Sequence, residues 1–298
     1  MLEGRSHRFF AARLLWLGLI VSPMVLAQEY RAPRLPGTQL PDLNGVWQAL
    51  GAAHYDLEPH AASASLQVRR GPHGPVPSIE TLHLGSVGAV PASLGVVVGG
   101  RIPYLPAARE RAQENRRHWS ARDPEVKCYL PGVPRATYMP YPLQIVQSAD
   151  ALMIAYEYAG AVRDIDLEDP GEAPIDSWMG WSAGRYEGDT LVVEVTGQNG
   201  RTWLDRAGNQ ASASLIVTER YTPMSPWHLM YEATLTDPES FARPWTIRMP
   251  LYRRVGSDAQ LLEFKCAEFV EELMFGRWRR APLPRTLEAP APQPEVAP

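Results

Sequence analysis

Five carboxylates carry the acid–base potential of this 298-residue chain: Asp164, Asp166, Asp176, Asp205 and Glu219. Two carboxylates facing one cavity raise each other's pKa and can divide the roles of acid and base. Asp164 and Asp166 stand two residues apart, which puts both on one face of a strand. A solvated strand face or a turn cap is the plainer account of that pair. Asp205 opens Asp205-Arg206-Ala207-Gly208, and an Asx turn explains it equally well. The candidate catalytic set is Asp164, Asp176 and Asp205. Arg163 competes with it, because neighbours on a strand point to opposite faces. Arg163 shares its face with Ile165, so it is expected to point inward, where a buried guanidinium needs an anion. That anion is either a ligand carboxylate or a carboxylate from another strand. Glu219 and Arg220 are adjacent too, so they form no ion pair along one strand face.

Aromatic side chains crowd the same stretch. Core packing is their default role. A flat apolar ligand would also suit them, and the candidate ligand-binding set is Arg163, Trp178, Trp181, Tyr186, Trp203 and Trp245. None of the seven histidines falls in a helical metal-ligand pair. His54 and His60 could share a metal in a loop, but solvated loop histidines are commoner, so no metal site is assigned. No phosphate loop, His-Glu-x-x-His or Gly-x-Ser-x-Gly occurs, and no cofactor is assigned. Net charge is −4, from 29 basic and 33 acidic residues with no basic block, which argues against nucleic acid as a partner.

The two cysteines exclude a disulfide-stapled mini-scaffold and a four-cysteine zinc site. Their reading follows from the N-terminus. Arg5, Arg8 and Arg13 precede an apolar run from Leu14 to Leu26, and Val25-Leu26-Ala27 offers small residues before Gln28. This is the pattern of a Sec signal peptide over residues 1–27, cleaved after Ala27, and it is short for a membrane span. The expected location is periplasmic or secreted, with no stable membrane anchor. In an oxidising compartment Cys128 and Cys266 most simply pair. Closing so long a loop stabilises by about 4–5 kcal/mol on the chain-entropy model. A nucleophilic cysteine would need a histidine close by in sequence, and neither has one.

The elements that must position these residues are mostly strands. Residues 28–42 are irregular and rich in proline, and Leu43 to Trp47 reads as a first strand. Gly51 to Gly100 is rich in Gly, Ala, Ser, His and Pro and reads as loop. Pro106 to Trp119 is the one good helix, with Pro106 in its first turn and few apolar residues, so it belongs on a surface. From Leu143 onward the hydrophobic period is two: Leu152 to Tyr158, Leu191 to Val195, Leu215 to Tyr221, Leu229 to Leu235 and Trp245 to Leu251. Short strands at near-regular spacing predict an antiparallel meander, sandwich or barrel. Gly188-Asp189 predicts a hairpin turn. The organisation read is a signal peptide at 1–27, a loop-rich segment at 28–120 packed on the main domain, an antiparallel β domain at 121–280 and a disordered proline-rich tail at 281–298.

Several strings resemble the signatures of a large family of secreted bacterial proteins of unknown function. They are Cys128-Tyr-Leu-Pro-Gly-Val-Pro-Arg135, Asp176-Ser-Trp-Met-Gly180, Gly184-Arg-Tyr-Glu-Gly-Asp-Thr-Leu-Val-Val193, Thr202-Trp-Leu-Asp205 and Arg243-Pro-Trp245. The resemblance runs from about Gly99 to Phe269 and implies no assigned reaction. Trp181, Gly200, Ala211 and Ala267 stand where relatives usually carry polar or ionisable residues. If relatives use those groups as one cluster, this chain lacks it. More weakly, Gly45-Val46-Trp47 resembles the Gly-x-Trp of lipocalins and calycins, in which case Arg253 or Arg254 would cover the Trp47 ring. That likeness implies a mostly β, calycin-like antiparallel barrel or strongly curved sheet, with one or two short helices, whose interior holds one small apolar ligand.

Three functions follow, and the sequence leaves the choice open. The first is an exported binder of a small, largely apolar molecule, with aromatic walls and Arg163 as polar anchor. The second is a cofactor-independent isomerase, cyclase, lyase or hydrolase using Asp/Glu chemistry on such a molecule. The third is a non-catalytic accessory protein of the envelope.

Overall fold

A computed structural model describes residues 30–62, 68–71, 74–77, 92–168 and 171–268. The signal-peptide pattern at 1–27 and the tail at 281–298 lie outside the described residues. Nine strands form one sheet: β1 (Gly45–Ala49), β4 (Leu143–Gln147), β5 (Leu152–Tyr156), β6 (Val162–Ile165), β7 (Trp181–Glu187), β8 (Thr190–Thr196), β9 (Ile216–Ser225), β10 (His228–Thr236) and β11 (Trp245–Arg253). Their order is β6-β5-β4-β1-β11-β10-β9-β8-β7, and every neighbouring pair is antiparallel.

An odd number of antiparallel strands brings the last one back in the direction of the first. The two ends of the sheet must therefore meet in parallel, and they do, through a parallel bridge between Asp166 and Ala183. The Asp166 N–H donates to the Ser182 carbonyl at 3.0 Å, and the Gly184 N–H donates to the Asp166 carbonyl at 2.6 Å. Gly184 makes this approach possible, since a Cβ there would stand 2.5 Å from Ile165 Cγ2. The sheet is thus a nearly closed barrel, and the expected mostly β, calycin-like architecture is what the chain adopts.

The period of two carries through the barrel wall. Val193 and Val195, Val217 and Tyr221, Leu229 and Tyr231, and Ile247 and Leu251 are buried on its inner face. Glu194, Thr218, Arg220, Glu232 and Arg248 alternate with them and reach solvent to differing degrees. Each aliphatic chain so buried contributes roughly 1.5–3 kcal/mol. The β7–β8 hairpin turns at Gly188-Asp189, as its sequence predicts. The barrel is not confined to residues 121–280: β1, from the N-terminal segment, lies between β4 and β11. Within the stretch read as loop, β2 (Val68–Gly71) and β3 (Gly74–Pro77) form a separate two-stranded ribbon. Strands of four residues are too short to show a period.

The helix α1 (Pro106–Arg117) buries only Ala108 and Ala112, a narrow stripe that keeps it on the surface as expected. Arg116 and Arg117 close its last turn, where a positive charge suits the helix dipole. Single turns follow at α2 (Trp119–Arg122) and α3 (Arg135–Tyr138), the latter buried at all four residues. Among the described residues no helix is long and apolar enough to cross a membrane. Cys128 and Cys266 are joined in a disulfide, with Cα atoms 5.7 Å apart. The bridge ties the chain ahead of α3 to the segment beyond β11.

The N-terminal strap is pinned across the barrel by its own polar groups. The Ala32 N–H and the Arg34 guanidinium both donate to the Asp189 carboxylate at the β7–β8 turn, at 3.3 and 2.5 Å. Gln147 at the end of β4 accepts from the Leu43 N–H at 3.0 Å and donates to the Pro41 carbonyl at 3.0 Å.

Candidate functional site

The interior of the barrel is occupied by the protein's own ion pair. Arg163 on β6 points inward beside Ile165, and its Nη2 pairs with Glu219 Oε2 from β9. Of the two anions expected for an inward Arg163, the structure supplies the one from another strand. Arg163 Nε donates to Ser182 Oγ and Nη1 to the Tyr156 hydroxyl, each at 3.1 Å. The Tyr221 and Tyr231 hydroxyls donate to Glu219 Oε1 at 3.0 and 2.7 Å. Burial works against the Arg163 charge, but Glu219, Tyr156 and Tyr221 outweigh it, and its pKa is raised. Every polar group of the pair is thereby answered from within. A ligand would have to displace these bonds, so Arg163 is a structural cation here and not a free anchor.

The carboxylates expected to act together lie apart. Asp164 is exposed on the outer face of β6, and Asp176 is exposed ahead of β7. Asp166 caps its own turn by accepting from the Glu168 N–H at 2.9 Å. Asp205 is fully buried.

The six residues expected to wall one cavity are also dispersed. Trp245 and Trp203 are buried, and Trp245 meets Phe241 edge-on at 5.3 Å. Trp178 stacks on Tyr129 at 4.7 Å. Trp181 is 37% exposed on the outer face of β7. Tyr186, five residues on, falls on the inner face, and its hydroxyl accepts from Gln147 Nε2 at 2.7 Å. An odd spacing along a strand cannot bring two side chains to one wall. Nor do the four positions that depart from the resembled family share one setting: Ala211 is buried, whereas Trp181 and Ala267 are exposed.

A different constellation does converge. A cavity of about 340 Å³ opens where the strap crosses β1, β9 and β11. Tyr30, Trp47, Pro223, Trp227 and Leu229 form its apolar walls, and Asp42 and Arg253 are the charges facing it. The Arg253 guanidinium lies over the Trp47 ring at 4.2 Å. Its Nη1 donates to the Asn44 carbonyl at 2.7 Å and its Nε to the Pro226 carbonyl at 2.9 Å. Gly45, with φ +148°, allows this: a Cβ there would collide with Arg253 Nη1 and stand 3.1 Å from its central carbon. The glycine of Gly45-Val46-Trp47 thus leaves the space that the Arg253 head group occupies. Burial lowers the Arg253 pKa somewhat, against Asp42 and Tyr30, which raise it.

A smaller cavity of about 220 Å³ lies beside α1, with Asp56, Tyr104, Arg109, Arg116 and Asn209 in its wall. Behind it is Asp205, which accepts from the Leu57 N–H at 2.9 Å, the Asn209 N–H at 3.1 Å and Asn209 Nδ2 at 2.6 Å. Burial and the nearby Asp56 charge outweigh these bonds and push Asp205 from its ordinary 3.8 up to about 7. Burial raises Asp56 as well, while Arg116 Nη1 donates to it at 3.2 Å. The Asx-turn account of Asp205 falls short, because the carboxylate also holds a loop 148 residues away.

His54 is buried against Glu125 at 3.4 Å, and burial lowers its pKa. Glu125 is also bound by Arg135 and Arg206, at 2.9 and 2.8 Å. Among the described residues no group of three or more His, Cys, Asp or Glu is placed to hold a metal ion. Comparison with family models, with curated proteins and with solved structures gives no match to this chain.

The candidate site residues read from the sequence include none of those lining these two cavities. Trp47, Pro223, Leu229 and Arg253 lie on strands whose period shows a face but not a pocket. Tyr30, Asp42, Asp56 and Trp227 come from loops and strap, where no period marks which way a side chain points.

Proposed function

We propose that this is an exported protein that binds a small, largely apolar molecule at the Trp47–Arg253 end of its barrel. The observation that carries the reading is the cavity of about 340 Å³ walled by Tyr30, Trp47, Pro223, Trp227 and Leu229. That volume and lining lie within the usual range for small-molecule sites, at its lower end. The expected site in the barrel interior gives way to this one, because Arg163, Glu219 and the tyrosines fill the interior. Export is supported by the Arg5-to-Ala27 pattern and by the Cys128–Cys266 disulfide, a bond suited to oxidising compartments.

The test is native mass spectrometry of protein purified from the periplasm of an expression host, followed by extraction and identification of any bound molecule. The expected result is a substoichiometric small molecule that Trp227→Ala protein does not retain. Protein that carries none, and binds no member of a library of small apolar compounds, would end the reading.

A second reading has its own observation. Asp205, at about 7, sits behind a polar cavity whose wall includes Asp56, Tyr104 and Asn209. A carboxyl poised near neutrality suits general acid–base catalysis. Turnover of any substrate by the wild type that survives unchanged in both Asp56→Asn and Asp205→Asn proteins would remove it.

A further inference from the structure

Arg253 is held by its bonds to the Asn44 and Pro226 carbonyls, yet these use only two of its three nitrogens. Among the described residues Nη2 has no hydrogen-bond partner. The head group is already fixed in place by the Trp47 ring below it and by the volume that Gly45 leaves empty. A guanidinium that is immobilised before a ligand arrives loses little entropy on binding one. The N–H groups of Nη2 are left to donate to a carboxylate oxygen, a charge-assisted hydrogen bond. The rest of the wall is hydrocarbon and aromatic: Tyr30, Pro223, Trp227 and Leu229. The backbone N–H of Arg253 donates to the Trp227 carbonyl at 2.9 Å, so the cation and the aromatic wall are held in fixed relation.

Resting on the binding reading above, we propose that the ligand is a small organic acid, its carboxylate paired with Arg253 and its hydrocarbon body against Trp227, Tyr30, Pro223 and Leu229. Asp42 bears on the same site. Its Oδ1 accepts from Asn44 N and Nδ2, at 3.0 and 2.8 Å, and its charge acts on Arg253 from the cavity wall. It therefore opposes an anionic ligand and weakens its binding. Asparagine keeps an oxygen for the two Asn44 bonds, so Asp42→Asn should tighten carboxylate binding without disturbing the strap.

The probes are benzoate, 2-naphthoate and octanoate, each set against its primary alcohol and titrated by calorimetry at neutral pH. The expected result is that at least one acid binds roughly ten- to a hundredfold tighter than its alcohol, the margin a charge-assisted hydrogen bond supplies. Arg253→Gln should erase that margin, so that acid and alcohol bind this variant equally. Asp42→Asn should raise the acid's affinity several-fold, a gain that misfolding cannot produce. Acids and alcohols bound equally would overturn the carboxylate inference and leave the apolar-ligand reading standing. If no acid and no alcohol bound, both would fall. An acid margin that persists in Arg253→Gln would place the anion elsewhere and overturn the assignment.

Discussion

The guanidinium of Arg253 occupies the space where a side chain on Gly45 would begin. The two residues lie 208 positions apart in sequence and are brought together by the pairing of β1 with β11. Gly45→Ala should therefore destabilise the fold by about 1–3 kcal/mol, from displaced stacking on Trp47 and from the positive φ. Urea unfolding gives the number. In an Arg253→Ala background the same substitution should cost less, because the collision is gone. An identical cost in both backgrounds would show that the arginine does not set the requirement for glycine.

The Arg163–Glu219 pair is the second long-range relationship that holds the barrel. Glu219→Leu leaves a buried guanidinium without its anion and should cost about 3–5 kcal/mol. Arg163→Met should cost a comparable amount, by stranding the carboxylate. The double variant Arg163→Met, Glu219→Leu should cost clearly less than the sum of the two, since no charge remains unpaired. Denaturant midpoints of the four proteins decide it, and strict additivity would mean that the pair is not coupled.

The strands of this barrel are legible because burial on one side writes a period of two, and β8 to β11 carry it over many residues. The inward aim of Arg163 is legible for the same reason, since it shares a face with Ile165. Its partner is not: Glu219 lies 56 residues on, and any of several carboxylates would satisfy a sequence-based argument. The stacking of Arg253 on Trp47 was expected only through the likeness to Gly-x-Trp barrels. The cavity beside them was out of reach, because Tyr30, Asp42 and Trp227 come from three segments without periodicity. The dispersal of Trp181 and Tyr186 follows from their odd spacing along one strand, whereas the density of aromatic residues in sequence says nothing about convergence in space.

The Cys128–Cys266 bridge closes a loop of 138 residues. Its removal through Cys128→Ser with Cys266→Ser should cost about 2–5 kcal/mol. Oxidised and dithiothreitol-treated wild-type protein should differ by a similar amount in urea. The double serine variant should unfold at one midpoint whether or not reductant is present. Titration of denatured, non-reduced protein with a thiol reagent should find essentially no free thiol, and two free thiols would contradict the bridge.

Asp205 predicts a pH dependence whose sign follows from burial. Its pKa is about 7 in the folded protein against an ordinary 3.8. Between those values the folded state binds the extra proton, so stability is greatest at the acid end of the window and falls as pH rises through about 7. Asp56, raised by burial in the same way, adds to the fall. Asp205→Asn cannot ionise. Its side-chain oxygen can still accept from the Leu57 or Asn209 donors, though its own N–H groups lack the acceptor role of the second carboxylate oxygen. The variant should thus be the less stable protein near pH 4, where wild-type Asp205 is neutral in the folded protein and about half ionised in the unfolded chain. The gap should close, or reverse, as pH rises from 4 toward 7, and stay level above that, where the wild type carries a buried charge. Urea midpoints of both proteins at half-unit steps from pH 4 to pH 8.5 test this, with Asp176→Asn, at an exposed site, as the control for general effects of charge. Parallel curves for Asp205→Asn and wild type across the whole range would show that Asp205 is ionised throughout, and would remove the basis for acid–base chemistry beside α1.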